Sequence, residues 1–286
     1  MIIDFHTHVF PDKIAAATVA RMSEESRLTA FSDGTEAGLT ASMRRAGIDL
    51  SVVLPVVTNP VKAGRINAYS ASRSGKNGLI YLGGMHPDTP DLPAEMKAAA
   101  GLGLKGIKIH PVYQRTDIDD IRFLRLLDAA GENGLFVVMH AGLDVGFPGQ
   151  TQADCGKIAR ALRQVGPVPL VLAHMGGWKQ WEDAEALAAF ENTYIDTAFS
   201  LGRIHPSVTG YYKEEDLPLL DEAGFARIVR AFGADRVLFG TDSPWVDRTA
   251  AVADFMRLPL TKEEKGSILY KNARRLLGIG ANHETT

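Results

Sequence analysis

Eight short runs rich in β-branched and other apolar residues recur along the chain, each followed by a stretch with helical spacing. The runs fall at residues 1–8, 51–57, 79–85, 104–111, 135–140, 169–174, 193–197 and 236–240. Strands alternating with helices imply parallel βαβ units. Several runs are almost continuously apolar, as strands covered on both faces are. No Gly-x-Gly-x-x-Gly follows the first run, so a closed (β/α)8 TIM barrel is predicted over an open dinucleotide-binding sheet. The 286 residues suit one such α/β domain, which commonly runs to ~250 residues. No second core or linker is visible, so residues 1–280 read as a single domain and 281–286 as a flexible tail. Two strand-to-helix connections are elaborated. The first, β1-α1, carries a helical stretch and the polar segment Ser32-Asp33-Gly34-Thr35, and is expected to roof a site. The seventh, β7-α7, spans residues 198–222.

The formal charge of -3 and pI near 6.2 give no electrostatic reason to expect nucleic acid. Cys155 is the only cysteine, which excludes an intrachain disulfide, and its helical setting predicts a buried thiol. The first residues lead directly into a strand with no basic segment ahead of an apolar one, and no apolar stretch reaches the ~18 residues of a membrane span. A cytoplasmic protein with a small-molecule substrate, and with neither membrane nor nucleic-acid partner, is expected. The long first and seventh loops offer a surface for a homodimer contact.

Of the eight histidines, six stand at the C-terminal ends of predicted strands: His6, His8, His86, His110, His140 and His174. Asp242 follows the eighth strand in the same way, while His205 and His283 lie elsewhere. In a barrel these ends form one rim, where active sites are built. Alternation along a strand turns His6 and His8 to the same side. Neutral imidazoles so placed are ligands for zinc and its neighbours. A zinc-like ion needs three or four protein ligands and an open position. His140 and Asp242 are expected to complete the set, because the first, fifth and eighth strand ends face one another across the mouth. One divalent ion, zinc before manganese, would bring a coordinated water from a pKa of ~15.7 to about 7. Asp242 would then be both ligand and general base, and His174 an acid or base beside the developing oxyanion. The plain alternative for Asp242 is a helix N-cap ahead of Pro244.

Six motifs in chain order carry a resemblance to a known family. They are Ile3-Asp4-Phe5-His6-Thr7-His8, Gly106-Ile107-Lys108-Ile109-His110-Pro111, His140-Ala141-Gly142, Ala173-His174-Met175-Gly176-Gly177, Gly240-Thr241-Asp242-Ser243-Pro244 and Asn272-Ala273-Arg274-Arg275-Leu276-Leu277-Gly278. The chain resembles the amidohydrolase superfamily, in the type 2 branch that also holds aminocarboxymuconate semialdehyde decarboxylase and related aromatic-acid decarboxylases. The resemblance implies a divalent metal, commonly zinc, on His6, His8, His140 and Asp242, with His174 as the catalytic acid/base. In binuclear members a carboxylated fourth-strand lysine bridges two metals, and Lys108 is of that residue type. Its Ile-Lys-Ile-His-Pro setting resembles the mononuclear branch, where the lysine meets substrate charge or pairs with an acid such as Asp4. One metal is therefore expected.

For substrate binding, the expected residues are Lys108, His110, His86, Arg203 and Trp245. Arg203 would take a carboxylate, and Trp245, Trp178, Tyr113 and Phe10 would supply apolar walls. The expected activity is hydrolysis of a C–N or C–O bond in a small anionic metabolite. The alternative is non-oxidative decarboxylation of a small or aromatic carboxylic acid, which the same ligand set serves. A catalytically dead, ligand-holding barrel is the reading from outside enzymology.

Overall fold

A computed structural model of the chain describes residues 1–280, and the expected tail at 281–286 lies outside the described residues. The strands are β1 (Ile3–Thr7), β2 (Leu50–Val53), β3 (Leu79–Tyr81), β4 (Gly83–Gly84), β5 (Gly106–Ile109), β6 (Phe136–Met139), β7 (Leu170–Leu172), β8 (Thr193–Asp196) and β9 (Val237–Leu238). β3 and β4 are two pieces of the predicted third strand, interrupted at Leu82. All paired neighbours are parallel, in a three-stranded sheet β1-β2-β3 and a six-stranded sheet β4 to β9.

Backbone hydrogen bonds stitch the two sheets into one ring. At one seam Leu82 N donates to Val53 O (3.0 Å) and Met85 N to Lys108 O (3.4 Å). At the other, Phe5 N donates to Phe239 O (2.7 Å), Asp242 N to His6 O (2.8 Å) and His8 N to Ser243 O (2.8 Å). The architecture is the predicted (β/α)8 barrel. Gly240 makes the second seam feasible, because a β-carbon there would lie 2.9 Å from His6 Cβ.

Helices α1 (Asp12–Ser26), α2 (Glu36–Ala46), α3 (Ala63–Arg73), α4 (Leu92–Gly101), α5 (Ile121–Glu132), α6 (Cys155–Leu162), α7 (Trp181–Ala184), α8 (Glu222–Phe232), α9 (Arg248–Arg257), α10 (Lys262–Gly266) and α11 (Asn272–Leu277) surround the ring. Their starts follow from side-chain caps: Asp120, Asp154, Asp221 and Asp247 each accept a first-turn amide. The apolar core has two layers. Ile3, Phe5, Val52, Leu54, Val138 and Leu238 alternate inward and meet Ala273 and Leu277 of α11. Ile107, Ile109, Met139, Leu172 and Ile195 alternate outward under the helices. Asn272, at the start of α11, donates to the carbonyls of Ala234 and Val237, which holds α11 against β9. The predicted final helix is continuous in direction but contains a π-helical turn at Ser267–Lys271.

β1 carries one extra residue. Asp4 pairs with Ser51 but Thr7 with Val53, so the register slips between them. Such a bulge redirects side chains on either side of it. Strict alternation would set Asp4 on the His6 side, within reach of Lys108. Instead Asp4 is buried against Arg248 of α9, whose Nε and Nη2 donate to Oδ2 at 3.0 and 2.8 Å. Thr241 N and Oγ1 donate to the same carboxylate. The expected Asp4–Lys108 pair is thus replaced by an Asp4–Arg248 pair.

The two long connections hold each other. Thr29 N donates to His205 O (2.7 Å), Ser207 N to Arg27 O (2.8 Å), and Tyr212 Oη to Ser26 O (2.6 Å). Together they stand over the C-terminal ends of the strands. Cys155 is buried, and burial pushes its thiol up to about 12, the inert state expected of it. Among the described residues no helix is long and apolar enough to cross a membrane.

Candidate metal centre and active site

His6, His8 and Asp242 meet at the barrel mouth, their ligand atoms all within 4.8 Å of one another. Hydrogen bonds on the far side of each ring decide which nitrogen faces inward. His8 Nδ1 lies 2.9 Å from Leu54 O, and a carbonyl only accepts, so Nδ1 carries the proton and Nε2 a lone pair. His6 Nδ1 lies 2.8 Å from Asp196 Oδ2, again leaving Nε2 as the lone pair. Both lone pairs point at Asp242 Oδ1, at 3.1 Å from His8 and 3.5 Å from His6.

Asp242 is ionised: burial alone would raise its pKa, but the contacts with His8, His6 and His174 more than offset this. His6 stays neutral because burial, and then Lys108, depress its pKa. Two imidazole nitrogens and a carboxylate oxygen converging on one point form a site for a cation, a shared proton or a metal ion. A backbone carbonyl and a carboxylate behind the two rings are the partners that orient metal-binding histidines. The residues fit a divalent ion of the zinc or manganese type, on a nitrogen-rich set with one carboxylate.

Lys108, expected one layer below His110, is fully buried and reaches the same point, Nζ lying 3.3 Å from His6 Nε2. Burial lowers its pKa to about 8, while Asp196, Asp242 and Asp144 pull the other way. An amine poised between its two charge states therefore sits beside His6.

His140 falls in a neighbouring group rather than in the first. Its ring stacks on His110 at 4.1 Å, and its ligand atom clusters with those of His110 and Asp144. It connects to the first group through His174: His140 Nδ1 lies 3.0 Å from His174 Nε2. His140 Nε2 faces Leu143 O (3.2 Å) and His174 Nδ1 faces Ala198 O (3.1 Å). Both outer nitrogens face carbonyls and donate, so the two inner nitrogens present lone pairs to each other, a pairing that a shared proton or a bound metal ion relieves. His174 and Asp242 also hold left-handed backbone angles, φ 62° and 66°. Non-glycine residues bear that conformation at a cost on the order of 1 kcal/mol, and such strain concentrates at functional sites. The N-cap alternative for Asp242 fails, because Asp247 caps the following helix.

The cluster opens into a cavity of about 610 Å³, a size suited to a small metabolite. Lys108, His110 and Trp245 line it, as do Phe10, Tyr113 and Trp178. His86 does not line the cavity. It is buried at its strand end, where its Nδ1 accepts from the Asp88 amide at 3.1 Å. Arg203 is exposed on the seventh connection and likewise stands off the cavity lining.

Two acids that sequence reasoning passed over belong to the centre. Asp196 ends β8, accepts from His6 on Oδ2, and on Oδ1 takes the amides of His174 (3.1 Å) and Ala198 (3.0 Å). A carboxylate ending an apolar strand was the available signal. Asp144 lies 3.5 Å from His110 Nε2, and burial raises its carboxyl to about 7. Its loop position gave no periodic signal.

A family model described as amidohydrolase matches residues 3–279. A search of curated proteins finds none that matches this chain. Among solved structures, an uncharacterised TIM-barrel protein from Bordetella bronchiseptica is 21% identical, with a TM-score of 0.73 and coverage of 97% of this chain and 98% of that one. A protein assigned as a 2-pyrone-4,6-dicarboxylic acid hydrolase from Pseudomonas putida is 19% identical, with a TM-score of 0.66 and coverage of 97% of each chain. A 5-carboxyvanillate decarboxylase from Novosphingobium aromaticivorans, with bound manganese, is 15% identical, with a TM-score of 0.67 and coverage of 98% and 97%. At these identities the likeness is one of fold, and the fold is shared by a protein assigned as a hydrolase and by a decarboxylase. The model match over nearly the whole length makes this chain a member of the amidohydrolase family, in its type 2 branch.

Proposed function

We propose that the protein is a metal-dependent hydrolase acting on a C–N or C–O bond of a small anionic metabolite. The observation that carries this reading is the convergence of His6 Nε2, His8 Nε2 and the ionised Asp242 on one point of the cavity. A divalent ion held there, zinc before manganese, supplies a Lewis acid that polarises a carbonyl and acidifies water.

The chain's own residues divide the remaining work. Asp242, with a second carboxylate oxygen free of the ligand role, takes the proton of the attacking water. His174 Nε2, presented just beyond the end of β7 with its lone pair free to accept, relays the proton that Asp242 has taken to the leaving atom. Asp196 locks the His6 ring and, through the His174 amide, the backbone that aims His174. The Lys108 ammonium holds an anionic group of the substrate beside the reacting carbon. Tyr113, Trp178 and Trp245 exclude bulk water from the cluster.

A second reading, non-oxidative decarboxylation, is favoured by one observation: Lys108 places a buried cation 3.3 Å from a ligand histidine, where a substrate carboxylate would sit. Metal analysis of the purified protein, before and after chelation, tests the shared premise. A protein that binds no stoichiometric divalent ion refutes both readings. Assaying carbon dioxide release against ester, lactone and amide cleavage on a carboxylate panel separates them, and gas release without hydrolysis overturns the first.

A further inference from the structure

Next to His174 the cavity wall holds a second cluster that takes no part in the proposed reaction. His110 stands just past β5, His140 just past β6, and Asp144 in the loop that follows β6. Their ligand atoms lie within 4.8 Å of one another. All three line the cavity and each side chain keeps 8% of its surface open, so the cluster is reachable from within it. Asp144 Oδ1 accepts from the Gly146 amide (2.8 Å), which leaves Oδ2 facing His110 Nε2 at 3.5 Å and His140 Nε2 at 3.8 Å. Leu143 O is 3.2 Å from the same His140 nitrogen. In a tetrahedral zinc site, bonds of ~2.0–2.1 Å set neighbouring ligand atoms roughly 3.3–3.4 Å apart. The three separations bracket that spacing.

A proton count supplies an independent argument. Three contacts run in a row: Leu143 O to His140 Nε2, His140 Nδ1 to His174 Nε2, and His174 Nδ1 to Ala198 O. Each needs one proton, and two neutral rings carry two. With the His140 proton on Nε2, its Nδ1 meets the lone pair of His174. With that proton on Nδ1, its Nε2 meets the lone pairs of Leu143 O and Asp144. A cation beside Asp144 removes the shortfall: His140 donates from Nδ1 to His174, while its Nε2 and Leu143 O both turn lone pairs to the ion. His174 Nε2 exchanges this contact for the proton it relays in turnover. His110 then carries its proton on Nδ1, at the cost of the Tyr113 amide contact, which at 3.4 Å is long and weak.

We propose that His110 Nε2, His140 Nε2 and Asp144 Oδ2, together with Leu143 O, form a second divalent-cation site, separate from the one on His6, His8 and Asp242. Two imidazoles, a carboxylate and a carbonyl suit zinc before magnesium or calcium. A lysine-bridged pair is a different arrangement, since Lys108 and His174 are not ligands here. Four protein ligands close the coordination shell, as in structural zinc sites, so the ion fixes the His110–His140 wall of the cavity rather than activating water.

Elemental analysis and calorimetric zinc titration of the chelator-treated, full-length protein test this. Wild type is expected to bind two equivalents per chain. Asp144→Asn and His110→Gln should each bind one fewer, and they lie on different segments, so a fold lost in one leaves the other informative. His8→Ala should also bind one fewer, by losing the ion of the first centre, and Asp144→Asn/His8→Ala should bind none. Zinc should raise the melting temperature of His8→Ala and leave that of the double variant unchanged. A stoichiometry that neither Asp144→Asn nor His110→Gln lowers overturns the inference, and so does a wild type that binds no zinc. A single equivalent lost alike on His8→Ala and Asp144→Asn describes one shared centre and also overturns it. Failure of the catalytic reading is a separate outcome: one equivalent lost on Asp144→Asn but kept on His8→Ala supports this site and sinks that reading.

Discussion

Arg248→Leu probes the ion pair that the β1 bulge creates. Arg248 and Asp4 are 3% and 0% exposed, and the guanidinium contacts Oδ2 at 3.0 and 2.8 Å, with Ser51 Oγ a further 2.6 Å acceptor. Burial raises the Asp4 pKa and lowers that of Arg248, with each partner offsetting the effect on the other. Removing the arginine strands a carboxylate that keeps only the Thr241 and His6 donors. Breaking a buried pair in this way costs about 3–5 kcal/mol. For a chain of this length that is a fall in melting temperature on the order of 10 °C.

The loss has a pH signature. Without the guanidinium the folded-state pKa of Asp4 climbs further above its unfolded value of ~3.9. The folded carboxyl then holds its proton where the unfolded one has released it, so the variant loses stability as pH rises from ~4 through the raised pKa. The gap to the wild type should be wider at pH 8 than at pH 4. Asp4→Asn/Arg248→Leu should recover most of the loss, since the amide oxygen still accepts from the His6 and Thr241 amides and no charge is buried. Urea melts of the chelator-treated proteins, arranged as a double-mutant cycle, measure this. A cost for Arg248→Leu below about 1 kcal/mol, or a double variant no more stable than the single, would refute the reasoning.

Asp242→Asn should retain the fold and lose turnover, because an amide cannot take the water's proton; activity within about tenfold of wild type would remove Asp242 as base. Asp196→Asn should weaken metal binding by about 10–100-fold through loss of the His6 tautomer, and an unchanged metal affinity would contradict that support. Lys108→Met should stabilise the chelator-treated protein below pH 8. Burial takes the Lys108 pKa from 10.5 down to about 8, which corresponds to about 3 kcal/mol. The folded pKa is the lower one, so the wild type regains this stability between pH 8 and 10.5. The gap between variant and wild type should close over that window, and a pH-independent gap would exclude a buried ammonium as its source.

Much of this was readable in residue order because two signals reinforced each other. Apolar runs located the strands, and histidines just beyond them marked which end carries chemistry. His6, His8 and Asp242 come together from opposite ends of the chain for that reason. The β1 bulge was not readable, because an inserted residue leaves the apolar pattern of Ile3 and Phe5 intact while turning Asp4 toward α9. The break at Leu82 was hidden in the same way, since Leu-Ile-Tyr-Leu-Gly-Gly-Met reads as one run. The position of His140 depends on side-chain geometry: stacking on His110 and the bond to Leu143 O turn it toward Asp144, and neither contact has a counterpart in spacing. Asp144 is hidden because a lone acid in a loop is indistinguishable in sequence from a solvated one, whereas Asp196 carries a positional signal, a carboxylate closing a strand whose end lies on the same rim as the histidines.

The clasp between residues 26–29 and 205–212 has a consequence for how this barrel can diversify. Two segments far apart in the chain form one canopy, joined mainly through main-chain amides and carbonyls that almost any side chain permits. Side chains on either strip are therefore free to vary, but an insertion or deletion in one shifts the register of the other. Variants with altered entrances should arise as matched length changes in both strips, and a graft of one strip alone should deform the doorway rather than re-specify it.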